Sequence, residues 1–359
     1  MKALVLVGGE GTRLRPLTYD VPKPMLPVVE RPMIARIVEW LGSHGVTEVV
    51  FSLGYRPDAF DGAFPDGTWA GVRLGYAVEP ERLDTAGAIL FGARQAGLGD
   101  ETFIVVNGDV LTDLDLGALL AAHRRNGGEA TIALTPVEDP SAYGVVPTDP
   151  DGRVLAFIEK PPRDEAPTNL VNAGTYVLEP STLERIPSGR RVSIEREIFP
   201  ALVADGVLFA MASEAYWLDT GTPERYLQAQ GDVLRGARPA VVFPECVEKL
   251  PGVRLAPGAV LDGDAVSVAF LGCGALVGQG AAVGDAVIGA DGVVEPGARV
   301  LGSVLLPGAV VRTGASVLQS VIGPGAVIGR GASVGGYSVL GAGVQVAAGA
   351  VLDSARLPV

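Results

Sequence analysis

Histidine and cysteine are nearly missing from this chain, and each scarcity removes a kind of chemistry. Only His44 and His123 occur, so the C-terminal third holds no histidine that could serve as a general base. Cys246 and Cys273 are the only cysteines. Their spacing builds neither a zinc site nor a disulfide framework, which fits a reducing cytoplasm and gives redox chemistry no support. No apolar run reaches the roughly 18 residues that a membrane span needs. The opening MKALVLVGG is too short for a signal peptide and ends in glycines, not a cleavage site. A soluble, cytoplasmic chain is expected. Basic residues are also in deficit: 28 Lys and Arg against 41 Asp and Glu leave a formal charge of -13. That field opposes a nucleic-acid backbone or an anionic membrane as the main partner, while leaving local basic pockets open.

What is present is apolar residues and glycine. With 359 residues, 48% of them hydrophobic, the chain can bury a full core and is expected to form two domains. Composition changes near Arg238-Pro239. Before it, short aliphatic runs (KALVLV, EVVFSL, TFIVVNGD, ATIALTPV) alternate with segments of helical spacing (PMIARIVEWLGSHG, LGALLAAHRRNG). This alternation predicts an α/β domain over residues 1–237, built on a Rossmann-like, mostly parallel sheet. Sites in such sheets lie beyond the carboxyl ends of the strands, where both the opening loop and NGDV fall. Residues 238–252 read as a linker.

From about Val253 to the end the texture is a repeat. Ile322, Ile328, Val334, Leu340, Val346 and Leu352 fall every sixth residue, as do Leu271, Val277, Val283 and then Ile288, Val294, Val300, Leu306, with phase slips between the runs. A six-residue step is neither helical nor a simple alternation. It suits a triangular solenoid of parallel strands over 253–359, each strand pointing one aliphatic side chain inward and turning at a corner of small residues. A flexible Gly/Ala linker has no reason to keep aliphatic residues in step.

The stretch LVLVGGEGTRLRP ends a strand in Gly8, Gly9 and Gly11, with Thr12, Arg13 and Arg15 close behind. Backbone N–H groups unobstructed by β-carbons, joined by fixed positive charge, suit a polyphosphate. A P-loop would close on Gly-Lys-Ser/Thr, and a dinucleotide fingerprint would need glycine at Leu14; neither is present. A tight turn with incidental arginines is the plain alternative. Next comes Pro22-Lys23-Pro24-Met25-Leu26-Pro27, where prolines on both sides of Lys23 restrict the backbone and aim its ammonium.

GGEGTRLRPLT followed by PKPMLPV resembles the sugar-1-phosphate nucleotidyltransferases, the nucleotide-sugar pyrophosphorylases. EPERLDTAG, NGDV, YGVV, FIEKP, NAGTYV and YWLDTGTPERY recur in family order along the first 230 or so residues. The repeat tail is similar to the hexapeptide left-handed β-helix of the long subtype, and the handedness is an implication of that resemblance. PKPMLP with NGDV looks most like the mannose-1-phosphate guanylyltransferase branch. The reaction so implied joins a nucleoside triphosphate, GTP in that branch, to a sugar 1-phosphate, mannose 1-phosphate, and releases pyrophosphate. Another base or sugar, as in glucose-1-phosphate thymidylyl- or uridylyl transfer, stays open.

The resemblance also assigns roles. Asp109 and Asp219 are the expected Mg²⁺ ligands, Arg13 the grip on the β- and γ-phosphates, and Lys23 the cation between the reacting phosphates. Leu6, Gly8, Gly9, Gly11, Thr12, Glu79, Asp84 and Gly108 are expected around the nucleotide, with the Glu79 carboxylate accepting from guanine, whose N1–H and exocyclic amine are donors. Tyr143, Gly144, Glu159, Lys160 and Asn172 are expected around the sugar phosphate. One departure stands out: Asp84 occupies a position where the family usually has glycine. If that position needs positive φ or close approach to the base, the aspartate adds strain and negative charge.

Two rivals come from other classes. A non-catalytic sugar-nucleotide sensor should have lost a charge-handling residue, yet Arg13, Lys23, Asp109, Lys160 and Asp219 are all present. An acyltransferase on the solenoid lacks its histidine. The solenoid is instead expected to mediate homo-oligomer assembly.

Overall fold

The computed structural model describes residues 1–54, 58–238, 241, 243 and 245–358. Of the expected linker, Pro239, Ala240, Val242 and Pro244 lie outside the described residues. The chain divides into two compact units, one formed by Met1–Gly9 and Ile34–Trp217, the other by Glu10–Met33 and Leu218–Val359. The segment carrying Gly11, Arg13 and Lys23 thus belongs to the unit that contains the repeat.

The first unit is built on the expected sheet. Its parallel centre runs Phe103–Asn107, Lys2–Leu6, Glu48–Leu53, Val72–Val78, in register Leu4↔Val105 and Val5↔Phe51. The inner three, FIVVN, KALVL and EVVFSL, are mostly aliphatic because both faces are covered, whereas the outer strand, VRLGYAV, is only partly buried. Ala3, Leu4, Val5, Ile104, Val105 and Val106 are fully buried. The helix Asp84–Ala96 packs closely on Lys2–Leu6. A β-carbon on Gly92 would come within 2.6 Å of a Leu4 methyl, so glycine permits the approach. Leu170–Leu178 joins the sheet antiparallel to Phe103–Asn107 and carries Gly144–Val145 and Ile158–Glu159 on its other flank. The parallel strands all deliver their carboxyl ends to one edge, where Leu6–Gly9, Leu53–Gly54, Glu79 and Asn107–Asp109 follow.

In the second unit the repeat folds as three sheets of eight, six and six strands, parallel except that Val247–Leu250 enters the first antiparallel to Val253–Leu255, the arrangement of a left-handed parallel β-helix. Leu271, Val277, Val283, Ile288, Val294, Val300, Ile322, Ile328, Val334, Leu340 and Val346 form its core, with Leu352 packed against it. Leu306 is a correction. Leu305 takes the inward position, pairing with Ile288 and Ile322, and Leu306 stands at the next corner. The reason is the third corner, which in three successive coils is one residue shorter than the other corners: Val283 leads to Ile288, Val300 to Leu305 and Val317 to Ile322. The tight corner turns on left-handed residues, Asp285 (φ 45), Gly302 (φ 57) and Gln319 (φ 44). This shortening is the source of the phase slips.

The helix Pro223–Leu234 packs on the solenoid strand Ala286–Ile288. Arg235 bonds Asp285 at 2.6 Å, and Arg254 donates to the Leu234 carbonyl at 3.1 Å. Among the described residues no helix is long and apolar enough to cross a membrane.

Candidate functional site

In the second unit the opening loop is held in one shape by its own residues. Gly11 takes φ 60, and a β-carbon there would lie 2.9 Å from the Thr18 methyl and 3.0 Å from the Lys23 Cβ. Only glycine fits. Thr18 Oγ1 donates to the Gly11 carbonyl at 2.9 Å, and a single turn Thr12–Leu14 follows. Arg15, whose charge the sequence adds to the loop, is paired with Glu10 at 2.9 Å and stacks on Tyr19. Arg13 and Lys23 are placed differently. A β-carbon on Gly221 would fall 2.5 Å from Arg13 Nη2 and 2.9 Å from Asp219 Oδ1, so the guanidinium and the carboxylate both crowd over that glycine. Lys23 Nζ stands 3.6 Å from Asp219 Oδ1, and its side chain is only 6% exposed. Arg13, Lys23 and Asp219 are thereby brought together from distant parts of the chain.

Gly221 was not singled out in the sequence, although it lies within YWLDTGT. Its N–H donates to Asp219 Oδ1 at 2.8 Å and fixes the carboxylate. The signal available was a glycine two residues after an aspartate at a strand end, a common turn pattern that does not announce an arginine above it.

In the first unit the strand ends gather the nucleotide candidates. Gly8 faces Glu79: a β-carbon on Gly8 would lie 3.8 Å from Glu79 Oε1. Glu79 is buried and its carboxylate accepts from the Leu83 N–H at 3.0 Å and the Ser52 hydroxyl at 3.3 Å. Gly9 has open space around it. Gly108 donates its N–H to the Leu6 carbonyl at 2.8 Å, and any β-carbon there would strike that carbonyl and Val7. This turn carries Asp109, half-buried, next to the carboxyl end of Lys2–Leu6. Asp84 does adopt the left-handed conformation, φ 62, at the head of its helix, with its own carboxylate accepting from the Thr85 N–H at 2.9 Å.

The sugar-phosphate candidates share the other flank of the sheet. Gly144 pairs with Glu159, and a β-carbon on Gly144 would come within 2.5 Å of the Phe157 ring and 3.3 Å of Glu159 Oε2. Lys160 takes φ 51 and reaches back to Glu159 at 2.9 Å. Asn172 lies at a register shift in Leu170–Leu178, its amide donating to the Tyr176 hydroxyl at 2.9 Å and accepting from the Gly174 N–H at 2.9 Å. Each of its polar atoms keeps capacity for another partner. Burial first, then the Glu195 charge, raise the Tyr176 hydroxyl above its ordinary value, so it remains a neutral partner for Asn172. Tyr143 meets Trp217 edge to face at 5.5 Å, and the Trp217 indole donates to the Ala173 carbonyl at 2.9 Å. Trp217 is a second residue the sequence did not single out.

The donor chemistry suits magnesium. Asp109 and Asp219 offer hard carboxylate oxygens and neither is fully buried. Among the described residues no group of three or more His, Cys, Asp or Glu could hold an ion. A cation at either carboxylate would draw its other ligands from phosphate oxygens and water, the way Mg²⁺ binds.

Comparison with known proteins gives a consistent result. The family model described as nucleotidyl transferase matches residues 2–236, and the one described as GMPPB C-terminal domain matches residues 247–358. A mannose-1-phosphate guanylyltransferase of Mycobacterium tuberculosis is 43% identical over 284 residues, 77% of each chain. A mannose-1-phosphate guanyltransferase of Aspergillus fumigatus is 44% identical over 230 residues, 63% of this chain and 62% of the other. Among solved structures, HddC from Yersinia pseudotuberculosis complexed with GMP-PN aligns with a TM-score of 0.56 at 30% identity, covering 65% of this chain and 99% of that one.

Proposed function

The chain belongs to the nucleotidyl transferase family, and from that premise we propose that it joins GTP to mannose 1-phosphate, giving GDP-mannose and pyrophosphate. The observation that carries the reading is the meeting at Asp219 of Lys23, 3.6 Å away, and of Arg13, which crowds over Gly221 with that carboxylate. The relatives named for mannose 1-phosphate and the neighbour that binds GMP-PN support the choice of sugar and base.

In this reaction a phosphate oxygen of the sugar phosphate attacks the α-phosphorus as the bond to the β-phosphate breaks. That oxygen is already ionised at neutral pH, so no general base is required, and two histidines in the whole chain are no handicap. The protein must hold two polyanions in line and replace their lost solvation. Arg13 grips the leaving β- and γ-phosphates. Lys23, held nearly out of water beside Asp219, meets charge at the reacting phosphates. Asp109 and Asp219 would hold a magnesium ion, which supplies Lewis-acid neutralisation of the phosphates. Glu79 receives the base, with Leu6, Gly8, Gly9, Gly11, Thr12, Asp84 and Gly108 around the nucleotide. Lys160 takes the sugar phosphate, Glu159 and Asn172 the hydroxyls, and Tyr143 with Gly144 the ring.

We also propose that the chain assembles with copies of itself through the solenoid. The ladder Val260↔Leu276↔Val293↔Val310↔Val327 puts an aliphatic row outward, and Val260 and Leu276 are exposed. A monomer by light scattering would oppose this.

The deciding experiment is a turnover matrix of four nucleoside triphosphates against mannose, glucose, galactose and N-acetylglucosamine 1-phosphates, read by pyrophosphate release. The highest kcat/KM is expected for GTP with mannose 1-phosphate. Turnover of another pair corrects the substrates. No turnover with any pair, despite nucleotide binding, favours the sensor.

A further inference from the structure

The repeat unit holds more than its own core. Residues 10–33 approach one corner of the solenoid at two places. At the first lies the hairpin of Pro27–Val28 and Arg31–Pro32. Pro27, Val29 and Arg31 line a cavity of about 400 Å³ opposite the corner residues Pro257, Cys273 and Pro307. This hairpin is clamped: Tyr226 Oη and Gln230 Nε2 donate to the Pro27 carbonyl at 2.5 and 3.0 Å, and the Val29 N–H donates to Gln230 Oε1 at 2.6 Å.

At the second Pro16 rests on the same corner, at its last full coil. A β-carbon on Gly341 would lie 3.1 Å from Pro16 Cγ, 3.1 Å from Pro358 Cδ and 3.3 Å from the Leu357 carbonyl. Glycine recurs at this corner because coils stack closely there: a β-carbon on Gly272 would lie 2.6 Å from the backbone nitrogen of Ala290, and one on Gly289 would lie 2.8 Å from the Leu305 carbonyl. Stacking alone accounts for glycine at those positions. At Gly341 Pro16, from the loop that carries Arg13, shares that space with the stacked chain at Leu357 and Pro358. Pro16 is buried, and so are Leu14, Leu17 and Thr18 around it.

Lys23 therefore lies between two seats, the hairpin held by Tyr226 and Gln230 and Pro16 at the Gly341 corner, and Arg13 stands three residues before the second. We propose that the β-helix positions the triphosphate loop, with Pro16 and Gly341 as positioning residues that set where Arg13 stands. This rests on the nucleotidyl-transfer reading above. It gives the solenoid a part in substrate binding in addition to assembly. Displacing a positioned group by a fraction of an ångström costs rate or affinity without touching substrate.

The test uses full-length Gly341→Ala and Gly341→Val, whose side chains press on Pro16 by increasing amounts. Rates are measured in both directions, alongside thermal melting. The Val variant is expected to raise KM for GTP, and for pyrophosphate in the reverse reaction, by about five- to tenfold, the Ala variant by less. KM for the sugar 1-phosphate should stay as in the parent. Folded variants with unchanged KM for GTP and pyrophosphate, or with all three KM values raised alike, overturn the inference while leaving the proposed reaction intact. If the parent turns over no substrate pair, the reaction fails instead.

A measurement on the unmodified chain guards against variants that do not fold. Hydrogen exchange is followed with and without GTP and magnesium. Slower exchange in residues 8–25 together with 339–342 is expected. Slowing confined to 8–25 overturns the inference, and slowing in neither segment overturns the nucleotide site on which it rests.

Discussion

Lys23 and Asp219, far apart in the chain, stand 3.6 Å apart with the lysine side chain 6% exposed. A nearly buried ammonium with a carboxylate beside it is preorganised: it meets phosphate charge without first shedding water. Lys23→Met removes the charge and keeps most of the stem. kcat should fall by about 10²–10³, the usual cost of losing one such donor. Circular dichroism should match the parent. A variant within twofold of parental kcat would remove Lys23 from the reacting phosphates.

Gly221→Ala is the sharper probe of Arg13. The added methyl would enter space 2.5 Å from Arg13 Nη2 and 2.9 Å from Asp219 Oδ1, so the guanidinium must leave or the carboxylate must turn. No functional group is deleted. We expect kcat/KM for GTP to drop by about 10- to 100-fold, as for a misplacement of about 1 Å, with little change in the melting curve. Unaltered kinetics would show that Arg13 does not need this position.

At Asp84 charge and backbone geometry can be separated. Its φ of 62 is tolerable for Asp or Asn and poor for a β-branched residue. Asp84→Asn keeps that conformation and deletes the charge, so KM for GTP should fall about threefold if a like charge near the nucleotide is the cost of departing from glycine. Asp84→Val should instead lose stability by about 1–3 kcal/mol, read by urea denaturation. An Asn variant with parental KM would mean the carboxylate does not sense the triphosphate.

The legible features were those with a local cause. Aliphatic runs bounded by glycine gave the parallel strands, and the six-residue step gave the coils, because each depends only on which neighbours face inward. Leu306 was misplaced since nothing local says which corner is short; the choice follows from Asp285, Gly302 and Gln319 turning left-handed. Arg13, Lys23 and Asp219 could be named one by one from motifs. Their convergence at Asp219, the edge-to-face contact of Trp217 with Tyr143, and the seat of Pro16 on Gly341 are properties of distant segments meeting. Composition and spacing carry no record of such meetings.

Acid sensitivity should appear away from the chemistry, at Glu129. Arg185 spans its carboxylate with bonds of 2.6 and 2.8 Å and turns its remaining nitrogen to Asp205 at 2.6 Å. The Arg185 hydrogen bonds lead in holding Glu129 below its ordinary 4.5, with burial opposing and the guanidinium charge assisting. A carboxylate with a lowered folded-state pKa binds its proton more readily unfolded, so its stabilisation is complete above about pH 4.5. It is then lost as pH falls through the lowered folded value. Arg185→Gln should therefore cost a constant amount across neutral pH, about 1–2 kcal/mol for a partly exposed bidentate pair. The gap between parent and variant should narrow below about pH 4.5. Urea denaturation of both chains from pH 7 to pH 3 reads the gap directly, and a gap that stays constant over that range would mean the pair contributes by packing and not by charge.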